Sequence, residues 1–332
     1  MMKLIRLHAL SPQTQLPALA LSIGNFDGVH KGHQALIHQL KLTAQQKQLH
    51  TAVMIFEPQP LEFFLNEQAP ARITSLREKL SLFKSLHIDY VIIAKFDHQF
   101  RELSAHDFAE LLKRLNVQHL TLGDDFVFGK NRQGNKQFLL DSGFQVNDLK
   151  TILFNEQRIS STRIREVLAQ GDFALASQLL GRPYSITGRI VYGDQIGRTI
   201  DFPTINVALK RPKPCLHGIY AVDVSEVNGN LQYAVQQQSS QIGIAGYQTG
   251  SLFGAGHLGV RPAIAQTQPQ WRLEVHFPQL SANLYGKLVT VTFLHYLHGE
   301  KNYPSLQALQ AGIQSDVQAL CQFRQQQQDF PF

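Results

Sequence analysis

The chain has 332 residues, 43% of them hydrophobic, which is sufficient for two domains with buried cores. No apolar run approaches the roughly 18 residues that span a bilayer, and Pro12 and Pro17 interrupt any signal-peptide core. Cys215 and Cys321 are widely separated and indicate neither a disulfide framework nor a zinc site. We therefore expect a cytoplasmic protein without membrane contact. A net charge of +6 without a dense basic run favours phosphate-bearing small molecules over nucleic acid as ligands.

The first predicted elements are a strand over Leu16 to Leu21, a glycine-rich turn and a helix over Gln34 to Gln48. Glycine lets the turn bend sharply, and the helix start offers free N–H groups to an anion. His30 and His33, three residues apart, can donate to one phosphate chain. We prefer this interpretation to a metal site, because zinc usually takes three or four ligands. The candidate binding residues of this nucleotide-phosphate cradle are Gly24, Asn25, Phe26, Asp27 and Gly28.

Strands and helices then alternate through the first half of the chain. The predicted strands are Thr51 to Phe56, Tyr90 to Ala94 and His119 to Gly123, and the predicted helices are Ser75 to Leu86 and Ser104 to Leu115. Ser104 with Asp107 forms a variant of the capping box. The pattern predicts a doubly wound, Rossmann-like α/β domain over residues 1–182, with its ligand beyond the carboxyl ends of the strands.

Two loops follow predicted strands at that edge of the sheet. The first, Phe56 to Pro60, is stiffened by prolines, and its Gln59 is as consistent with a rigid loop as with a ligand contact. The second, Gly123 to Gly134, combines aromatic, acidic and basic residues, and its candidates are Asp125, Phe126, Asn131 and Arg132. The alternative for this second loop is a capped turn whose aromatic side chains only pack.

A hydroxyl-rich segment opens a helix near residue 160. Hydroxyl groups at a helix start normally serve as N-caps. Here arginines follow within the first turn and bring fork-shaped cationic donors beside free backbone N–H groups. The candidates for anion binding are Ser160, Ser161, Thr162, Arg163 and Arg165.

The pattern changes after a predicted helix over Leu168 to Leu180, which Gly181 and Pro183 end. Alternating polar and apolar residues predict strands at Ser185 to Val191, Gly218 to Val224, Trp271 to Phe277 and Lys287 to Leu294. Residues 228–256 resemble a strand followed by an inserted loop, and Pro304 to Phe323 is helix-like. We therefore predict a second domain over residues 183–332, a mostly antiparallel sheet or β-barrel.

The second half has its own candidate chemistry. Thr204 and Asn206 present two oxygen atoms on one side of an extended segment, and hard oxygen ligands suit Mg²⁺ shared with nucleotide phosphates. A glycine-containing loop with Gly193 and Gly197 precedes them. Glu274 lies on the polar face of a predicted strand, where most glutamates are simply solvated.

The string from Gly24 to His33, Gly-Asn-Phe-Asp-Gly-Val-His-Lys-Gly-His, resembles the HxGH motif of nucleotidyltransferases, in the form found in bacterial bifunctional riboflavin kinase/FAD synthetases. The loop from Gly123 to Gly134 and the segment Ser160 to Arg165 are similar to further motifs of that family. The segment Pro203 to Asn206 resembles its riboflavin kinase PTxN motif. The resemblance extends over nearly the whole chain.

This resemblance implies two reactions. In the first domain, FMN would attack ATP to form FAD and pyrophosphate, with the histidines and Arg165 as catalytic groups and Asp125 and Phe126 near the flavin or adenine. In the second, Glu274 would act as the general base that accepts a proton from riboflavin as ATP phosphorylates it to FMN. Mg²⁺ is the implied metal, and ATP is the co-substrate.

Two departures from the family pattern motivate alternatives. Asp201 replaces a usual glycine, and Ala263 replaces a usual threonine. The chain could therefore be a monofunctional FMN adenylyltransferase with a kinase-inactive flavin-binding module. A separate alternative is a non-catalytic flavin-responsive binding protein, against which the histidine and arginine motifs argue. The sequence leaves the oligomeric state open.

Overall fold

The computed structural model divides into two compact units, residues 1–163 and 164–332. This division falls before the boundary predicted at residue 182. The structure describes residues 1–7, 15–149, 151–193, 202–227, 229, 231, 234, 251–261, 270–278, 280 and 283–329. Among the helices so described, none combines the length and the apolar composition needed to traverse a membrane.

The first unit consists of strands and helices that alternate along the chain. Its strands are β1 (Lys3–Arg6), β2 (Leu19–Ile23), β3 (His50–Glu57), β4 (Tyr90–Lys95), β5 (Val117–Gly123), β6 (Gln145–Leu149), and the hairpin pair β7 (Leu153–Phe154) and β8 (Gln157–Arg158). Its helices are α1 (Lys31–Lys47), α2 (Pro60–Leu65), α3 (Leu76–Ser85), α4 (His98–Arg101), α5 (Ala105–Arg114) and α6 (Lys136–Asp141), and α7 (Ser161–Ala169) begins in this unit.

Six of these strands form one parallel sheet in the order β1-β4-β3-β2-β5-β6. The chain moves from β2 outward through β3 and β4, and β5 then returns to the other side of β2. The carboxyl ends of β2 and β5 therefore form the topological switch point, where open α/β sheets bind their ligands. The predicted doubly wound fold is confirmed.

Apolar residues cover both faces of the sheet because successive side chains of a strand point to opposite sides. Leu19, Leu21 and Ile23 pack with α5 on one face, and Ala20 packs with α1 and Phe83 of α3 on the other. The N-caps agree with the sequence: Ser104 accepts from the Asp107 N–H at 3.0 Å, as predicted. Helices α1, α3 and α5 are thus capped at their starts and packed through their buried residues.

The second unit is built around a closed antiparallel barrel in the order β10-β13-β12-β11-β14-β9. Its strands are β9 (Ser185–Val191), β10 (Thr204–Val207), β11 (Gly218–Glu226), β12 (Leu252–Arg261), β13 (Gln270–His276) and β14 (Leu288–His298). Its helices include α8 (Phe173–Leu180) and α9 (Leu306–Asp329). Leu320 and Phe323 of α9 pack on Ala221 and Phe253 of the barrel. The predicted barrel is confirmed.

Two sequence predictions of elements were wrong. The predicted single helix from Leu168 to Leu180 is two helices, because Gly171 has a left-handed φ of 74° and Asp172 caps α8. The end of the predicted insertion at 228–256 belongs to β12, where Gly254 and Gly256 weaken the strand pattern. Most of that insertion lies outside the described residues.

Truncation of a buried side chain tests the packing of α1. Leu40 has no exposed surface, whereas Leu42 on the same helix is 40% exposed. Leu40→Ala is expected to lower the free energy of unfolding by about 2–5 kcal/mol, because it leaves a cavity under the helix. Leu42→Ala is the control and should change it by less than about 0.5 kcal/mol. If urea-unfolding curves showed the same loss of unfolding free energy for both variants, the result would contradict this packing.

Candidate active site

The turn that follows β2 has an unusual backbone conformation. Phe26 and Val29 have φ angles of 48° and 40°, in the left-handed region that costs free energy for residues other than glycine. The carboxylate of Asp27 holds the turn, because it accepts N–H bonds from Ile73 at 3.1 Å and Thr74 at 3.0 Å. Gly28 donates its N–H to the Thr74 hydroxyl at 2.9 Å. Asp27 and Gly28 therefore anchor the turn to the loop before α3.

His30 and His33 form a stacked pair at the start of α1. Their ring centroids are 3.6 Å apart, with 16° between the planes. His30 is the N-cap, and its Nδ1 accepts the His33 N–H at 3.3 Å, so the proton of its neutral ring lies on Nε2. Burial, the neighbouring His30 and Lys79 together lower the pKa of His33 well below its ordinary value. Both rings are thus suited to act as neutral hydrogen-bonding groups.

A cavity of about 880 Å³ opens at the switch point of the sheet, between the turn after β2 and the loop after β5. The predicted site residues that line it are Gly24, Asn25, Phe26, Asp27, His30, His33, Asp125, Phe126, Asn131, Arg132, Ser160 and Ser161. Ser160 accepts the Arg163 N–H at 3.2 Å, which makes it a helix cap. Ser161 donates its hydroxyl to the Asp27 carbonyl at 2.9 Å, so the first and last predicted motifs of this unit meet.

Four predicted residues do not line the cavity. Gly28 is held by Thr74, and Thr162 is exposed on α7. Arg163 donates to the carbonyl oxygens of Phe154 and Gln157, and so ties the β7–β8 hairpin to α7. Arg165 lies four residues after Ser161, on the same face of this helix.

An aromatic wall, which the sequence analysis missed apart from Phe126, forms another side of the cavity. Its members are Phe56, Phe64, Phe96, Phe100, Phe108, Phe126 and Phe128. Phe56 contacts Phe96 and Phe100 edge-on, with centroids 5.9 and 5.6 Å apart. Phe64 is 51% exposed at the rim. These aromatic residues come from five separate segments, so no short sequence pattern contains them. Of those missed, only Phe56, at the end of a predicted strand, could have been assigned to the cavity from the sequence.

Charged groups surround the cavity. Arg158, also missed, pairs with Asp125 at 2.9 Å and with Asp124 at 3.6 Å. A hydrogen bond from Thr151 and the charge of Arg158 hold the pKa of Asp124 below its usual range. Arg158 lies just before the predicted anion-binding segment that begins at Ser160. That position is the signal by which the sequence could have identified it.

The loop at Gln59 is held in place by ion pairs. Arg72, 5% exposed, pairs with Glu57 at 2.6 Å and with Glu62. Burial opposes its charge, but the hydrogen bonds that Arg72 donates to Glu62 and Glu57 raise the pKa of Arg72. Gln59 is the N-cap residue of α2, and it is absent from the cavity lining. The structure favours the rigid-loop interpretation of this position.

The second set of predicted residues lies on the outer face of the barrel. Strand register places Asn206 directly opposite Glu274, and Thr204 opposite His276. The buried Leu273 and Val275 alternate with Glu274 and point to the core. A side chain at Gly193 would collide with Asn206, so glycine allows this loop to approach β10. Gly197, Asp201 and Ala263 lie outside the described residues.

A cluster beside Glu274 was not predicted. His257 is opposite Glu274 on the side away from Asn206, and it contacts Glu300 at 2.6 Å. His217 contacts the other oxygen of Glu300 at 3.0 Å. Burial lowers the pKa of His276, whose Nδ1 bonds to the Pro203 carbonyl at 3.0 Å. Strand pairing places His257 beside Glu274, whereas His217 and Glu300 lie just before β11 and just after β14.

Family models match both parts of the chain, FAD synthetase over residues 13–163 and riboflavin kinase over residues 180–323. The bifunctional riboflavin kinase/FMN adenylyltransferase of Escherichia coli K12 is 40% identical over 95% of this chain and 96% of its own length. The protein of that name from Haemophilus influenzae is 41% identical over 96% and 97%. The chain belongs to the bifunctional riboflavin kinase/FMN adenylyltransferase family. The predicted resemblance is confirmed.

A solved structure described as a macrolide-efflux protein from Streptococcus pneumoniae shares the fold of this family member. Its TM-score is 0.72 at 24% sequence identity, over 93% of this chain and 95% of that one. At this identity the likeness concerns the fold alone.

The lowered pKa of His33 has a measurable consequence. At about pH 6 a histidine with an ordinary pKa is mostly protonated. His33 should remain neutral there, because a lowered pKa moves protonation to more acid pH. Imidazole ¹⁵N shifts can be followed by NMR between about pH 8 and 5, with His33→Gln used to assign the resonance. A midpoint at or above the ordinary histidine value would be inconsistent with this site.

Proposed function

We propose that the chain makes both flavin cofactors: it phosphorylates riboflavin to FMN and adenylylates FMN to FAD with release of pyrophosphate, using ATP in each reaction. Adenylyl transfer is assigned to residues 1–182 and phosphorylation to residues 183–332. The two family models and the bifunctional relatives support this assignment and favour it over a monofunctional enzyme. The predicted cytoplasmic location stays a prediction.

The observation that carries the adenylyl-transfer proposal is the meeting of two helix starts at one cavity. α1 contributes His30 and His33, α7 contributes Ser160 and Ser161, and Ser161 is bonded to Asp27 of the turn. Helix starts present N–H groups and positive dipole ends, both of which favour a polyphosphate. We assign the ATP triphosphate to this part of the cavity, with Arg132 and Arg158 as nearby cations.

The aromatic wall suits the flavin ring of FMN. Flat ring systems bind well among aromatic side chains that offer large apolar area in stacked or edge-on contacts. Phe56, Phe96 and Phe100 offer such a surface in the same cavity as the histidine pair. Asp125 and Phe126, predicted at the flavin or adenine end, are part of the lining.

The chemistry of adenylyl transfer fits neutral histidines. The phosphate of FMN is already an anion, so its attack on the α-phosphorus of ATP needs alignment and charge stabilisation rather than a strong base. A neutral His30 or His33 donates one hydrogen bond to a phosphate oxygen without requiring a buried ion. Arg165 remains the proposed cationic group from α7.

The kinase proposal rests on the pairing of Asn206 with Glu274. Riboflavin must lose the proton of its 5′-hydroxyl as it attacks the γ-phosphorus, and Glu274 is the proposed general base. The oxygen donors of Thr204 and Asn206 lie on the same face, and this hard donor set fits Mg²⁺. Bound there, Mg²⁺ would neutralise charge on the phosphates of ATP.

His33→Ala is expected to lower FAD formation from FMN and ATP by about 10²–10³-fold, because it removes one oriented donor from the phosphate site. FMN formation from riboflavin should be unchanged. His38→Ala is the matched control, since His38 is exposed on the same helix. Loss of both reactions in His33→Ala would mean that they do not use separate sites.

Glu274→Gln should have the reverse effect. Loss of the general base is expected to reduce FMN formation from riboflavin by about 10²–10⁴-fold, while FAD formation from added FMN continues. Chromatography of flavin products measures both reactions in one sample. Undiminished phosphorylation by this variant would rule out the assigned base, and wild-type protein that makes FAD but no FMN would support the monofunctional alternative.

A further inference from the structure

Lys79 of α3 is a buried lysine with no part in the proposed chemistry. It has no exposed surface, and its Nζ donates to the carbonyl oxygen of Asn25 at 2.8 Å. Burying an ammonium group is costly unless it is paired and hydrogen-bonded. A fully buried lysine that reaches across to the turn after β2 therefore calls for a specific role.

Charged groups of the turn and of the loop at Gln59 act on Lys79. Burial lowers the pKa of Lys79 below its ordinary value and Arg72 also opposes its charge, although Asp27, Glu57 and Glu62 favour the charged form. Asp27 itself accepts backbone N–H groups from Ile73 and Thr74. The ammonium group thus lies beneath the turn, and its described hydrogen bond goes to the turn backbone rather than to a carboxylate.

The hydrogen bond from Lys79 to the Asn25 carbonyl also determines the direction of the Phe26 N–H. A peptide unit is planar and trans, so the C=O of one residue and the N–H of the next point in opposite directions. The Asn25 carbonyl is directed to Lys79, and the Phe26 N–H of the same peptide must then point away from it. Asn25 and Phe26 both line the cavity.

The Phe26 N–H belongs to a buried residue of the cavity wall. No acceptor in the described part of the chain receives it, although the Phe26 carbonyl accepts the Val29 N–H at 3.2 Å. A polar backbone group at a cavity wall normally finds a partner. The left-handed φ of Phe26 also requires outside support to persist.

We propose that Lys79 is a positioning residue for adenylyl transfer: by holding the Asn25 carbonyl, it directs the Phe26 N–H to a phosphate oxygen of ATP. The inference rests on the proposed binding of ATP in this cavity. Lys79 touches no substrate. It acts through the Asn25–Phe26 peptide. Without its hydrogen bond, this peptide would rotate in the strained turn and the Phe26 N–H would lose its direction.

The first test compares Lys79→Met, which keeps most of the side-chain volume, with Lys84→Met, an exposed lysine on the same helix. FAD formation by Lys79→Met should fall about tenfold or more in kcat, since a misdirected donor no longer stabilises the transferring phosphate. FMN formation by the same protein and both reactions of Lys84→Met should be unchanged. Undiminished FAD formation in Lys79→Met overturns the proposal.

Thio analogues separate positioning from general damage. Rates of FAD formation are measured with ATP and with ATPαS, ATPβS and ATPγS. Sulfur accepts an N–H bond poorly, so the wild-type enzyme should be slowed when sulfur occupies the contacted phosphate, and Lys79→Met should lose that sensitivity at one phosphate. A purely structural role would reduce all four rates by the same factor and would overturn the proposal.

A measurement on the unaltered protein covers the case in which Lys79→Met does not fold. Asn25–Phe26 is the one Asn-Phe pair in the sequence, so labelling with [¹³C′]Asn and [¹⁵N]Phe isolates the Phe26 amide by NMR. Saturation with α,β-methylene-ATP should move this proton downfield. An unmoved resonance at saturation overturns the proposal, whereas FAD formation from FMN and ATP tests the underlying function separately.

Discussion

The Asp27 carboxylate is the interaction on which the first site depends. It accepts two backbone N–H groups from the loop before α3, and this charge-assisted pairing offsets the strain of the left-handed residues on either side. The turn presents His30 as the cap of α1 and leaves Asn25 and Phe26 at the cavity wall. The Gly28 N–H bond to Thr74 and the Lys79 bond to the Asn25 carbonyl support the same backbone.

The two units assemble their candidate sites by different means. The parallel sheet gathers residues at a switch point, where loops and helix starts converge from distant segments. The barrel instead uses register, since antiparallel pairing brings Asn206, Glu274 and His257 side by side on its outer face. The first arrangement yields a cavity lined by a stacked histidine pair, and the second a polar surface with a carboxylate in the middle.

Features that depend on a few neighbouring residues could be predicted from the sequence, whereas groups of residues from distant segments were missed. The glycine turn, the cap at Ser104 and the alternation of β9 are visible because periodicity and capping operate within a few residues. The aromatic wall, Lys79, Arg158 and the contact of His257 with Glu300 come from separated segments, so no short pattern contains them. Arg163, predicted for anion binding, donates to the β7–β8 hairpin, a contact that no short pattern indicated.

The hydrogen bond between Ser161 and Asp27 joins residues 134 positions apart. All six strands of the parallel sheet precede Ser161 in the chain. The sheet and its helices can therefore acquire their packing before the cavity is complete. On a ribosome, the cavity proposed for adenylyl transfer would be the last part of the first unit to mature, because Ser161 is supplied only when α7 has emerged.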